Sequence, residues 1–279
     1  MLQKRIKKIL IKAKREVFSE FVGNNPSIFK GSGFDFVELR EYQYGDDIRK
    51  IDWIISAKLQ KPYLKIFKEE RELNVVVAFM FNGSIFFGSK RLKKDLAIEI
   101  GAILGFSTLK NQDIFNYFIF ADRLYKSIKP TKNIHSINNM VLELDSFDPL
   151  GKVANFNILA KRLYKIKRKS LIFIIGDFLY EFDLNLLSKK HEVVAIIIRD
   201  RLEENPIEAG FINLIDPENK NSLVVDLDKA SINRYKKEIK KRDYLMYKDF
   251  KKNRIRFLKI YTDEEPFVKL VKLFGRNYG

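Results

Sequence analysis

Three groups of residues have types and spacings that could do chemistry. The first is Met80-Phe81-Asn82-Gly83-Ser84-Ile85-Phe86-Phe87-Gly88-Ser89, directly after the apolar run Leu73 to Phe79. A strand that ends in small polar residues offers amide and hydroxyl groups at its carboxyl end. Ligands of α/β sheets bind at that end. Asp177 follows a second apolar run, Leu171 to Ile175, and belongs at the same edge. The second group is Arg40, Asp46, Asp47, Arg49 and Asp52 with Trp53. Acids and bases alternating around a turn can pair bidentately. They form either a buried structural network or a docking surface anchored by Trp53. The third is the helix face Lys236, Lys237, Lys240, Lys241 and Arg242, within a segment (229–259) of thirteen basic and three acidic residues. Such a face is either solvated surface or a site for nucleic acid or anionic membrane.

Other signals are weaker. Gly83 to Lys90 has the glycine spacing of a phosphate-binding loop after a strand, but Ser89 and Lys90 are transposed and two phenylalanines crowd the loop. His135 and His191 stand far apart without ligand spacing and read as helix-surface residues. No histidine or nucleophile neighbours the paired carboxylates in sequence, so no catalytic residue and no enzyme is expected.

The elements that must position these residues follow from periodicity. From residue 73 onward, apolar strands (73–80, 114–121, 170–176, 192–198, 255–261) alternate with amphipathic helices (90–110, 134–145, 156–167, 182–190, 229–252, 263–274). A hairpin is expected around 120–128, and two short strands flank the turn 216–220. Near-continuous apolar strands between helices predict a doubly wound, mostly parallel sheet covered on both faces, an α/β fold. Before it, residues 2–21 carry an apolar stripe at helical spacing, 23–33 is turn-rich, and a strand, a short helix (48–57) and a second strand follow. We divide the chain into an N-terminal helix and strand segment, 1–72, and a main domain, 73–279. The N-terminal helix either packs on the domain edge or lies on a membrane surface.

Composition sets the outer bounds. The chain has 279 residues, a formal net charge of +17 and no cysteine, which excludes disulfides and thiolate metal sites. No apolar run approaches the roughly 20 residues of a spanning helix, and no cleavable leader is read at the start. The expectation is a cytoplasmic protein.

Residues 31–71 carry a resemblance. Gly31, Gly33, Phe36, Arg40, Tyr42, Gly45, Asp46, Asp47, Arg49, Ile51, Asp52, Trp53, Ala57 and Glu70 fit the signature of the bacterial domain-of-unknown-function family number fifty-eight. Asp35 stands where that family usually has Glu, and Lys58 where it often has Arg. Gly176-Asp177-Phe178, the Arg199-Asp200 to Gly210 segment and Tyr261-Thr262-Asp263 extend the likeness over nearly the whole chain. The resemblance implies a von Willebrand factor A-like, Rossmann-like domain. It also implies work with a MoxR-type AAA+ ATPase and other A-domain proteins in maturation or assembly. Such domains often carry a metal-ion-dependent adhesion site that begins D-x-S-x-S. Here Met80 takes the Asp position, with Asn82 and Ser84 at the two Ser positions and Asp177 as the counterpart of the final carboxylate. No hydroxyl residue stands in 151–157 for the site's threonine. A thioether is a poor partner for Mg²⁺, which takes near-octahedral oxygens. The expectation is therefore a degenerate site without a cofactor, with Met80 in the core and Asp177 capping a helix or pairing with a lysine; the alternative is a Mg²⁺-dependent adhesion or hydrolytic site at Ser84 and Asp177.

Overall fold

The computed structural model describes residues 4–18, 36–67 and 72–275. The glycine-rich segment 23–33, the start of the first expected strand and Glu70 lie outside the described residues. Contacts divide the chain into two units. Lys30–Glu72 is one, and the rest, including the first helix, is the other. The division thus differs from one at 72/73. Helix α1 (Lys4–Phe18) belongs to the larger unit, where Ile6, Leu10, Ala13 and Val17 are buried. Its apolar stripe therefore faces protein, and the membrane-surface alternative loses the face it needs.

The larger unit is built on a six-stranded sheet. Its strands are β3 (Asn74–Met80), β4 (Ile114–Phe120), β5 (Leu124–Ser127), β6 (Leu171–Gly176), β7 (Glu192–Arg199) and β10 (Arg256–Tyr261). The order is β10-β7-β6-β3-β4-β5, parallel throughout except for the edge strand β5. Strand β3 reads NVVVAFM and is buried at every position, as expected for a strand covered on both faces. Val75, Val77 and Phe79 face the layer of α1, α3 (Lys93–Lys110), α4 (His135–Ser146) and α9 (Pro266–Gly275). Val76, Ala78 and Met80 face the layer of α5 (Phe156–Tyr164), α6 (Asn185–Lys190) and α8 (Lys229–Lys252). Helix α3 is buried on nearly all sides, so it lacks the one-sided apolar stripe of a surface helix.

Chain order explains the site. From β3 the chain crosses to β4 on one side and later returns to β6 on the other. The carboxyl ends of β3 and β6 therefore flank the point where winding reverses, and a crevice opens there. Two further elements border this end of the sheet. Helix α7 (Arg201–Glu204) follows β7, and an antiparallel hairpin, β8 (Gly210–Ile215) and β9 (Ser222–Leu227), follows α7.

The smaller unit pairs β1 (Phe36–Glu41) with β2 (Tyr63–Phe67), antiparallel. The single short helix expected over 48–57 is instead a 3-10 turn (Ile48–Lys50) and then α2 (Trp53–Leu59). Two acids explain the break. Asp47 accepts from Arg49 N at the first start, and Asp52 accepts from Ile54 N and Ile55 N at the second. Each is an N-cap, and a cap requires non-helical backbone at its own position.

Candidate functional site

The crevice between β3 and β6 gathers side chains distant in sequence. Asn82 and Ser84 enter from the loop after β3, and Asp177 from the end of β6. Met80 is buried in the core beneath them. The lysine paired with Asp177 is Lys93, the first residue of α3. Its side chain is 0% exposed. Its Nζ lies 3.6 Å from Asp177 Oδ2, 3.3 Å from Ser84 Oγ and 2.5 Å from Glu203 Oε1 on α7. Ser84 Oγ donates to Asp177 Oδ2 and lies 3.1 Å from Asn82 Oδ1. Asn82 Nδ2 donates to Glu218 Oε1 at 2.7 Å, from the turn between β8 and β9. Pro217 of that turn lies so close that a Cβ on Gly83 would come within 2.7 Å of its backbone. Glycine at 83 is thus required for the hairpin turn to rest on the strand-end loop.

Electrostatics follow from burial and pairing. Burial alone would raise the Asp177 carboxyl. The Lys93 ammonium, the Ser84 hydroxyl, the Arg199 charge and the Leu179 N–H outweigh it and hold the group below the ordinary carboxylate range. Asp200, at the end of β7, is also held low. Burial opposes, and donors from Ser89, Thr262 and Leu202 prevail. Glu218 shifts the other way, raised by burial and the Asp177 charge against the Asn82 donor. A depressed carboxylate contributes stability that is present above its unfolded pKa, near 4. That stability is lost as pH falls through its lower folded value. Asp177 and Asp200 therefore predict a fall in unfolding free energy below about pH 4, measurable by urea melts. The variant carrying Asp177→Asn and Asp200→Asn should show a shallower fall over that range.

The site with Lys93 in place does not admit a divalent metal. The space such an ion would share with Ser84 and Asp177 holds an ammonium, and the leading carboxylate position is a core methionine. Phosphate binding does not fit either. The backbone N–H and hydroxyl of Ser89 both donate to the Asp200 carboxylate at 2.9 Å. A loop poised for an anion would not hold one of its own on those donors.

Arg40 pairs with Asp46 at 2.7 Å, and Arg49 with Asp47 at 3.0 Å. Asp52 caps α2. These are short-range pairs on exposed or half-exposed side chains. Trp53 is 66% exposed, and Tyr44, Ile48 and Ile54 are exposed with it. On α8, Lys237, Lys240, Lys241 and Arg242 are exposed and Lys236 is half-buried. Arg242 donates to the Leu179 carbonyl at 3.1 Å. His191 is buried rather than on a helix surface, and burial, then Lys190, lowers its pKa.

Sequence reasoning missed Lys93, Glu203 and Glu218. It also missed the buried Arg199–Asp243 pair with the half-buried Lys259, and an open groove of 830 Å³ between residues 178–182 and α8. For Lys93 a signal was present. It opens an apolar helix directly after the strand-end loop, where a lysine has no macrodipole benefit.

The chain is 25% identical over 205 residues to the uncharacterized protein Rv1480 of Mycobacterium tuberculosis and to uncharacterized protein Mb1516 of Mycobacterium bovis. The match covers 70% of this chain and 64% of theirs, so the chain spans less than two thirds of these relatives. Among solved structures, conserved hypothetical protein BatB of Bacteroides thetaiotaomicron is 12% identical. It covers 73% of this chain and 98% of its own, with a TM-score of 0.45. An aerotolerance-related membrane protein of Bacteroides fragilis is also 12% identical, covering 73% and 99%, with a TM-score of 0.46. Residues 38–244 match the family described as protein of unknown function DUF58. That match takes in most of the sheet, the strand-end crevice and nearly all of the smaller unit, and the chain belongs to the DUF58 family.

Proposed function

We propose that this chain is a non-enzymatic, cytoplasmic protein-interaction module on a von Willebrand factor A-like frame whose metal-ion-dependent adhesion site is degenerate. In this reading it acts with a MoxR-type AAA+ ATPase, alongside other A-domain proteins, in the maturation or assembly of other proteins. The observation that carries the reading is the exposed apolar group Tyr44, Ile48, Trp53 and Ile54 in a strongly charged chain. Large aromatic and aliphatic side chains held in water, rimmed by Arg40–Asp46 and Asp47–Arg49, have the composition of a docking centre with a polar rim. At the crevice, the carboxylate that accepts from Ser84 is also paired with Lys93 and held below the ordinary carboxylate range, which makes it a weak base. No helix among the described residues is long and apolar enough to cross a membrane.

The test is affinity capture of the tagged chain from its own cells, followed by binding of the purified AAA+ ATPase. Capture is expected, and Trp53→Ala should weaken it by about tenfold or more. Absence of any AAA+ ATPase from the capture, with no binding between purified components, overturns the proposal. A second reading rests on the exposed basic residues of α8. Binding to nucleic acid or acidic vesicles through them would weaken steeply with salt, and no binding at low salt removes it.

A further inference from the structure

Lysine side chains ordinarily bury their stems and keep the ammonium in water. Lys93 does the opposite. Its side chain is fully buried, and its Nζ is met by oxygens from three separate elements. Ser84 comes from the loop after β3, Asp177 from the end of β6 and Glu203 from α7 after β7. The Asn82–Glu218 pair closes the cage from the hairpin side. The helix start that carries Lys93 is tied to the same loop, its backbone N–H donating to Phe87 O at 2.9 Å. All of these donors are hard oxygens. Two are carboxylates facing the ammonium directly, and a third, Glu218, stands behind Asn82. Taken together they are the donor types that Mg²⁺, Mn²⁺ and Ca²⁺ choose.

We infer that the Lys93 ammonium is the resident cation of the strand-end site: tethered to α3, it takes the place of a divalent ion and keeps a latent divalent-cation site closed. The inference rests on the cage alone and does not depend on the proposed partner. It explains why Ser84 and Asp177 retain cation-facing geometry although the leading position is Met80. Once the ammonium is removed, Asp177 and Glu203 face each other without a counter-charge between them, beside a hydroxyl and an amide. A divalent ion supplies that counter-charge. Its oxygens belong at about 2.1 Å for Mg²⁺, closer than any of the ammonium contacts, so the cage must contract around it. An ordinary structural ion pair predicts a different result, namely lost stability with no gain of metal binding.

The experiment uses the full chain as wild type, Lys93→Ala, Lys93→Gln and Lys93→Ala with Asp177→Asn. Each is titrated with MnCl₂, MgCl₂ and CaCl₂ by calorimetry and by thermal melting. Wild type should show no saturable binding and no ion-dependent rise in Tm. Lys93→Ala should bind at least one of the ions with Kd on the order of 10⁻⁴–10⁻³ M, the weak end of protein oxygen sites, and its Tm should rise with that ion. Asp177→Asn should abolish both effects. Lys93→Gln keeps the stem and removes only the charge, so it covers the case in which alanine prevents folding. Where neither variant folds in metal-free buffer, recovery of folded protein on refolding with a divalent ion, but not with Na⁺, supports the inference. Saturable binding by wild type overturns it. So does a Lys93→Ala protein that binds no ion, or no recovery with any of the three ions. None of these results bears on capture of an AAA+ ATPase, which tests the proposed function separately.

Discussion

Asp243→Leu is expected to lower the unfolding free energy by about 3–5 kcal/mol, the usual cost of stripping one partner from a buried ion pair. The residue lies on α8 among Ile232, Met246 and Phe250 and is buried with them. Its carboxylate accepts from Arg199 at 3.2 Å and from Lys259 at 2.6 Å. Arg199 is 1% exposed, and a second carboxylate, Glu204, is 3.8 Å away. A guanidinium does not deprotonate to escape, so the variant leaves a buried charge. Helical periodicity alone argues the reverse, since leucine would complete the apolar stripe. The double variant Asp243→Leu with Arg199→Met should recover most of the loss, because an apolar replacement of the whole pair is often neutral or better. Urea melts of wild type and the two variants decide between the two arguments. A single variant as stable as wild type would refute the buried-pair account.

Lys93→Met should cost about 3 kcal/mol by the same reasoning. The lower end of the range applies because Asp177 keeps the Ser84 hydroxyl and the Leu179 N–H, and Glu203 also serves the cap of α7. Adding Asp177→Asn to Lys93→Met should cost less than the sum of the two single changes, by about 1–3 kcal/mol, since residues in one network couple. Additive losses would mean that the ammonium and the carboxylate do not act on each other.

The strands and helices of the larger unit were legible nearly to the residue. Periodicity gives β3 as 73–80 against Asn74–Met80 in the structure, and α8 as 229–252 against Lys229–Lys252. Such elements are encoded by local periodicity, and each carries one apolar face or two. The central, mostly parallel sheet followed from the alternation of strands and helices. The helix expected over 48–57 is divided: apolar spacing runs through Ile51 without a break, whereas Asp52 caps a second start inside it. Helix α7 was missed because four residues are too few to show a period. Its own capping box, Asp200 with Glu203, was the available signal.

Sequence by itself determined where the crevice stands, because buried strands and crossover handedness place Asn82, Ser84 and Asp177 at one end of one sheet. Only the tertiary structure decided which cation meets them. Ser84 and Asp177 are 93 positions apart, and Lys93 and Glu203 are 110 apart. No local pattern encodes a meeting over such separations. It follows from the order β7-β6-β3 in the sheet, which brings three strand ends around the first residue of α3.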